Sequence, residues 1–260
     1  MPESGRAPQL LTPQGLRLLD GLGRQRPLLL AFDFDGTLAP IVARPADARP
    51  ARAVLARLAQ LAACTPVAVI SGRSLADLRP RLPGVAAHLV GNHGAEPDDD
   101  PRAGAHWSAA LQPLRQRLQV LGSALAEAGI GIEDKGASIA LHLRLAPQPA
   151  RARAVLDGLL PQLAEGCQVF GGKQVLNLVA RGCPDKADAM QALVARCGAA
   201  AALYAGDDVN DEPVFERAPA HWLTLRVGSD DPRSSARVRL DGPSQMPRLL
   251  DLLLQRLQAA

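Results

Sequence analysis

The chain has 260 residues, 47% apolar but only 3% aromatic, enough for one large or two small cores built from aliphatic side chains. A net charge of +3, with no basic block interleaved with aromatics, gives no support to nucleic-acid binding. The four cysteines (Cys64, Cys167, Cys183 and Cys197) form no C-x-x-C pair, which speaks against a zinc site and against a disulfide framework.

In chain order, the opening stretch MPESGRAPQL lacks the charged-then-apolar order of a signal peptide. No later run approaches the length of a membrane span, so a cytoplasmic protein is expected. Short apolar runs at 28–33 (LLLAFD), 66–71 (PVAVIS) and 88–91 (HLVG) read as strands, separated by helical stretches at 52–63 and 74–82. Strands alternating with helices predict a parallel sheet covered on both faces. The middle of the chain differs. A helix at about 109–128 is followed by strand-like runs IGIED and SIALHLRL, a helix near 150–163, and the runs CQVF and QVLNLVA. Their KG and GGK turns predict antiparallel hairpins. The first rhythm then returns, with a helix at 186–197, a strand at 202–207, a helix at DEPVFERA, a strand at 221–227 and a closing amphipathic helix at SQMPRLLDLLLQRLQ. The expected fold is α/β, a doubly wound and mostly parallel sheet made by 1–100 and 181–260. An α+β domain with an antiparallel sheet, 101–180, is inserted into it, with linkers at 96–107 and 180–184.

The ends of the predicted parallel strands carry the polar chemistry: DFDGT (33–37), SGR (71–73), GNHGAE (91–96) and GDDVNDE (206–212). In open α/β sheets ligands gather at such ends. Asp33 and Asp35 are two apart, so a continuing strand would point both to one face. Unpaired carboxylates there cost several kcal/mol or neutralise. With Asp207 they make an oxygen-only cluster of the kind Mg²⁺ prefers. Ser71 offers a hydroxyl and Lys186 a compact positive charge, which suits a phosphate dianion. Each motif alone has a plainer reading as a capped strand end, a turn, or a surface lysine. Together they point to phosphoryl transfer, with one Asp as nucleophile. Only three lysines occur, Lys135, Lys173 and Lys186, although arginine is abundant. The first two lie in the hairpin turns of the insert; either coding bias left three lysines by chance, or a small mobile ammonium is needed at these places, because Arg and Lys are not interchangeable at a tight site.

The segments LLAFDFDGTLAPI, VAVISGR, LVGNHGAE, IEDKGASIALHLR, GGKQVLNL and YAGDDVNDEPVF, in this order, resemble the haloacid-dehalogenase-like phosphatases. Within them they are similar to the trehalose-6-phosphate phosphatase family. The resemblance implies a Rossmann-like core with a cap, and Mg²⁺-dependent hydrolysis of trehalose 6-phosphate through an aspartyl-phosphate. It implies Asp33 as nucleophile and Asp35 as general acid, then base. The metal would be held by Asp33, the Asp35 carbonyl and Asp207, with Asp208 and Asp211 in support. Thr37, Ser71, Arg73 and Lys186 would bind the phosphoryl group. Glu133, Lys135, Arg144, Lys173 and the residue at 177 would read the sugar, with Gly94 and Glu96 on the route between domains. A sugar phosphate is the expected partner, with neither nucleic acid nor membrane, and a trehalose-6-phosphate synthase is the expected neighbour enzyme. Three positions depart from the family pattern: Asn177 stands where Glu is usual, CPDK precedes the motif lysine in place of a glycine-rich approach, and Asn210 replaces Thr. The first leaves a related sugar-phosphate phosphatase, of the sucrose-phosphate or mannosyl-3-phosphoglycerate type, as the alternative. A synthase-binding domain without turnover is a more remote alternative.

Overall fold

A computed structural model describes residues 7–172 and 174–259. After helix α1 (Pro13–Gly23), strand β1 (Leu28–Phe32) is followed by α2 (Arg52–Ala62), β2 (Val67–Ile70), the single turn α3 (Leu75–Leu78), β3 (His88–Gly91) and β4 (Glu96–Pro97). The next elements are α4 (Pro101–Ala110), α5 (Gln112–Glu127), β5 (Gly131–Asp134), β6 (Ile139–His142), α6 (Pro149–Leu163), β7 (Cys167–Gly172) and β8 (Val175–Ala180). The chain closes with α7 (Lys186–Cys197), β9 (Ala201–Gly206), α8 (Glu212–Arg217), β10 (Leu223–Val227), β11 (Val238–Leu240) and α9 (Met246–Gln258).

The first and last parts share a seven-stranded sheet of order β11-β10-β9-β1-β2-β3-β4, in which only β4 runs antiparallel. Every residue of β1, β2 and β9 is buried, as expected of strands covered on both faces. Helices α1, α2 and α9 contribute Leu19, Leu58 and Leu253 to the core on one face. The α7 residues Met190 and Leu193, with Phe215 of α8, fill the other. Helix α7 begins at a capping box between Asp185 and Asp188 and ends at Gly198 in the left-handed region, φ 57°. β2 and β3 are added on one side of β1, β9 to β11 on the other, so a crevice opens at the carboxyl ends of β1 and β9.

Residues 131–180 build a separate antiparallel sheet of order β5-β6-β8-β7, which shares an apolar cluster with α5 and α6. Leu114, Leu118, Leu141, Leu156 and Leu178 form its own apolar core. Outside the sequence expectations lie α1 and the short β11. The stretch 96–107 is also no simple linker. Glu96 and Pro97 extend the main sheet as β4, and Asp100 caps α4 through its side chain, with Pro101 at the first helical position. The helix expected from 109 therefore begins at Pro101 and breaks at Leu111 into α4 and α5.

Candidate active site

The sheet sets the first carboxylate. Asp33 directly follows β1, and its N–H donates to the Ala205 carbonyl at 2.8 Å, so the parallel pairing with β9 continues one residue further. The chain then turns sharply. Gly36 lies at φ 83°, and a Cβ there would come 2.0 Å from the Asp207 carboxylate, so both backbone and space require glycine. Strand alternation stops at Phe32, so it is this turn, and not a continuing strand as expected, that brings Asp33 and Asp35 to one cleft, each with its own partners. The Asp33 carboxylate enters a cluster with Asp207 and Asp211, whose ligand oxygens lie within 4.8 Å of one another. That of Asp35 turns to Arg73.

Lys186, 1% exposed at the start of α7, donates from Nζ to Asp33 Oδ1 and Asp211 Oδ1, both at 2.7 Å. Burial alone would lower its pKa, but Asp211 and Asp33 outweigh that and hold it above the ordinary lysine value. Asp211 is fully committed. One oxygen also accepts from the Tyr204 hydroxyl at 2.6 Å, and the other accepts from the Asp207 and Asp208 amides at 2.9 Å. Burial pushes Asp33 well above the usual carboxylate range; Lys186 pulls it down, while Asp211 and Asp207 push it further up. Three buried carboxylates converge here, Lys186 touches two of them, and the donors are all oxygen. That set fits a divalent cation, with Asp33 and Asp207 the carboxylates placed to hold it.

The phosphate-loop candidates follow β2. Ser71 is buried and its Oγ accepts the Arg73 N–H at 3.2 Å. Arg73 grips Asp35 through Nε and Nη2, both at 2.7 Å, and also reaches Asp77 and the Pro45 carbonyl. Asp77 is held in turn by Arg81.

Asp33, Asp35, Ser71, Arg73, Lys186, Asp207 and Asp208 line one cleft with Glu133, Lys135, Arg144 and Asn177 from the second sheet. Glu133 accepts from His142 at 2.8 Å and lies 3.7 Å from Lys135; the His142 hydrogen bond, with Lys135 and Arg73, holds its carboxyl below the ordinary value despite partial burial. Lys135 Nζ donates to the Gly72 carbonyl at 3.1 Å, and Arg144 donates to the Val42 carbonyl at 3.1 Å. Asn177 is buried in β8, opposite Ala140 and Phe170.

Two expected site residues, Glu96 and Thr37, do not line the cleft. Glu96 Oε2 accepts from the Leu75 amide and from Asn92. Thr37 is fully buried below the turn, its Oγ1 without a partner among the described residues. Asp211, expected in support of the metal, lies beneath the cleft in the cluster with Asp33 and Asp207, and Lys173 falls outside the described residues. Conversely, the cleft includes His93, His142 and Asp77, which sequence reasoning did not single out, and Asn210, marked there only as a departure from the family pattern. His93 lay within the GNHGAE motif, but only its burial against Phe170, with ring centroids 4.9 Å apart, marks it. Burial, then Lys135 and Lys186, push its imidazole well below the ordinary value.

The family model for trehalose-phosphatase matches residues 31–242. A trehalose-phosphate phosphatase of Mycobacterium bovis is 32% identical over 261 residues, covering 95% of this chain and 66% of its own length. A Mycobacterium tuberculosis protein described as an uncharacterized glycosyl hydrolase is 34% identical over 263 residues, covering 94% of this chain. The chain spans only 19% of that relative. Among solved structures, the C-terminal domain of Candida albicans trehalose-6-phosphate phosphatase superposes with a TM-score of 0.80 at 23% identity, covering 97% of this chain and 99% of that one. Aspergillus fumigatus trehalose-6-phosphate phosphatase gives 0.63 at 26% identity, covering 92% and 97%. With its family model spanning both ends of the main sheet and the whole second sheet, this chain belongs to the trehalose-phosphatase family.

Proposed function

We propose that the protein hydrolyses trehalose 6-phosphate to trehalose and phosphate, with residues 1–100 and 181–260 as catalytic core and 101–180 as cap. The observation that carries this reading is the buried Asp33, held 2.7 Å from Lys186 at the floor of a cleft whose upper wall comes from the second sheet. Asp33 attacks the phosphorus; the bond from phosphorus to the sugar oxygen breaks, and its electron pair leaves on that oxygen. Asp35 supplies the proton the oxygen needs. In the second half, Asp35 takes a proton from water, the water oxygen attacks the aspartyl-phosphate, and the Asp33 carboxylate is released. Ser71 and Lys186 hold phosphoryl oxygens during both steps. Bound by Asp33 and Asp207, with Asp208 at the margin, a Mg²⁺ ion would neutralise charge on the phosphoryl group. Phosphate monoesters are among the slowest uncatalysed hydrolyses, which makes such charge compensation necessary. Glu133, Lys135, Arg144 and Lys173 would engage sugar hydroxyls, keeping bulk water from the intermediate. The same reading assigns a cytoplasmic setting and a trehalose-6-phosphate synthase as the source of substrate.

A second reading, another sugar phosphate, is favoured by one observation. Asn177 presents an uncharged amide to the cleft where a carboxylate could accept two sugar hydroxyls. Phosphate release from the purified protein with Mg²⁺ decides between them, across trehalose 6-phosphate, glucose 6-phosphate, sucrose 6-phosphate and mannosyl-3-phosphoglycerate. Highest kcat/KM on trehalose 6-phosphate supports the first reading; highest kcat/KM on another of the four replaces it.

A further inference from the structure

A single amide closes the seam between the two sheets. Asn92 is 0% exposed and lies at φ 49°, followed by His93 at φ 61° and Gly94 at φ 126°. Asparagine tolerates the left-handed region, but a run of this kind persists only where its surroundings over-determine it. Here they do. The Asn92 N–H donates to the Arg73 carbonyl at 2.8 Å and the His93 N–H to the Ser71 carbonyl at 2.9 Å, which fastens the run to the phosphate loop. The side chain faces the other way. Its Nδ2 donates to Glu96 Oε2 at 2.9 Å and to the Lys135 carbonyl at 3.1 Å, and its Oδ1 accepts from Ser138 Oγ at 2.6 Å. A carboxylate and a carbonyl can only accept, so the amide orientation is fixed by its partners.

These contacts close a ring across the seam. The phosphate loop holds Asn92, Asn92 holds the β5–β6 turn by Lys135 and Ser138, and Lys135 Nζ returns to the Gly72 carbonyl at 3.1 Å. Asn92 itself does not line the cleft. We infer that Asn92 is a positioning residue for substrate recognition, setting where the β5–β6 hairpin, and with it Glu133 and Lys135, stands over the phosphate loop. The inference rests on the proposed function only for the choice of substrate. An interior amide that merely fills its site would affect stability; one that sets the hairpin position affects recognition of the leaving group more than chemistry on the phosphoryl group.

The test is Asn92→Asp, which keeps size and tolerance of the left-handed backbone but turns two donors into acceptors facing Glu96 and the Lys135 carbonyl. For trehalose 6-phosphate, kcat/KM is expected to fall roughly tenfold or more, mainly through KM, because buried acceptors then oppose one another. Hydrolysis of p-nitrophenyl phosphate, which has no sugar to grip, stays within about twofold of wild type. Hydrogen exchange of the amides at 135–138 accelerates in Asn92→Asp while that of β1 and β9 does not. If Asn92→Asp fails to fold, Ser138→Ala, which removes one hydroxyl, carries the same comparison. Equal losses on both substrates, or no loss with unchanged exchange at 135–138, overturn the inference. A wild-type protein inactive on trehalose 6-phosphate overturns the substrate reading instead. The comparison then runs on whichever sugar phosphate is hydrolysed, and on hydrogen exchange alone if none is.

Discussion

The Arg73 guanidinium holds Asp35 in a planar fork, Nε and Nη2 each 2.7 Å from one carboxylate oxygen, and so fixes the orientation of the proposed acid. Arg73 is 7% exposed and its pKa is raised: burial works against its charge, but Asp35 and Asp77 outweigh it. A lysine there keeps the charge and loses the fork. Arg73→Lys is expected to lower kcat by roughly tenfold or more on every phosphate ester, since Asp35 serves all leaving groups. Steady-state kinetics on trehalose 6-phosphate and p-nitrophenyl phosphate check this; an unchanged kcat removes Arg73 from that role.

Asp33→Asn should abolish turnover, to less than about a hundredth of wild type, because an amide does not attack phosphorus. The fold should survive with equal or higher thermal stability, because burial disfavours the ionised carboxylate and Lys186 keeps Asp211 as a partner. Asp35→Asn should lose about 10²–10⁴-fold in kcat. Single-turnover assays together with thermal melts separate loss of chemistry from loss of fold.

Chelation should stop activity and added Mg²⁺ should restore it, with Zn²⁺ a poor substitute for an all-oxygen donor set. Titration calorimetry should show the binding directly and show it lost in Asp207→Asn. An undiminished rate after exhaustive EDTA treatment would remove the metal from the scheme.

Lys135→Ala and Arg144→Ala should each lower kcat/KM on the disaccharide phosphate while leaving p-nitrophenyl phosphate hydrolysis nearly as before. Each side chain also bonds a core carbonyl, Gly72 for Lys135 and Val42 for Arg144, so hydrogen exchange at the seam should rise in parallel. Equal losses on both substrates would mark a folding role.

Cys183 gives a prediction on the alkaline side. Burial, with Asp185 and Asp188 nearby, pushes its thiol from the ordinary 9.0 up to about 12. The folded protein therefore holds the proton more tightly than the unfolded chain. Its contribution to stability is complete below about pH 9 and declines as pH rises toward 12. Alkylation at pH 8 should label the exposed Cys64 and spare Cys183, and Cys183→Ala should flatten the loss of melting temperature above pH 9.

Much of this was written in local sequence. The runs LLLAF, VAVI and AALYAG are apolar throughout because parallel strands are buried on both faces, so strand type and order of elements follow from composition alone. The capping box at Asp185 and Asp188 and the glycine at 198 mark both ends of α7 in the same way. The acidic and phosphate-loop motifs are legible because polar residues at buried strand ends have no packing reason to be there. Other features depend on what the fold brings together. The placement of Asp33 and Asp35 depends on a turn whose glycine abuts Asp207, 171 residues later in the chain. The capture of Asp35 by Arg73 and of Asp211 by Lys186 joins segments well apart in the chain. Asn92, unremarkable in GNHGAE, joins the two sheets only because Lys135 and Ser138 are folded onto it. Local sequence fixes backbone preference and which faces are apolar, whereas a hydrogen bond requires two groups within about 3 Å, and for groups far apart in the chain only the packed tertiary structure sets that distance.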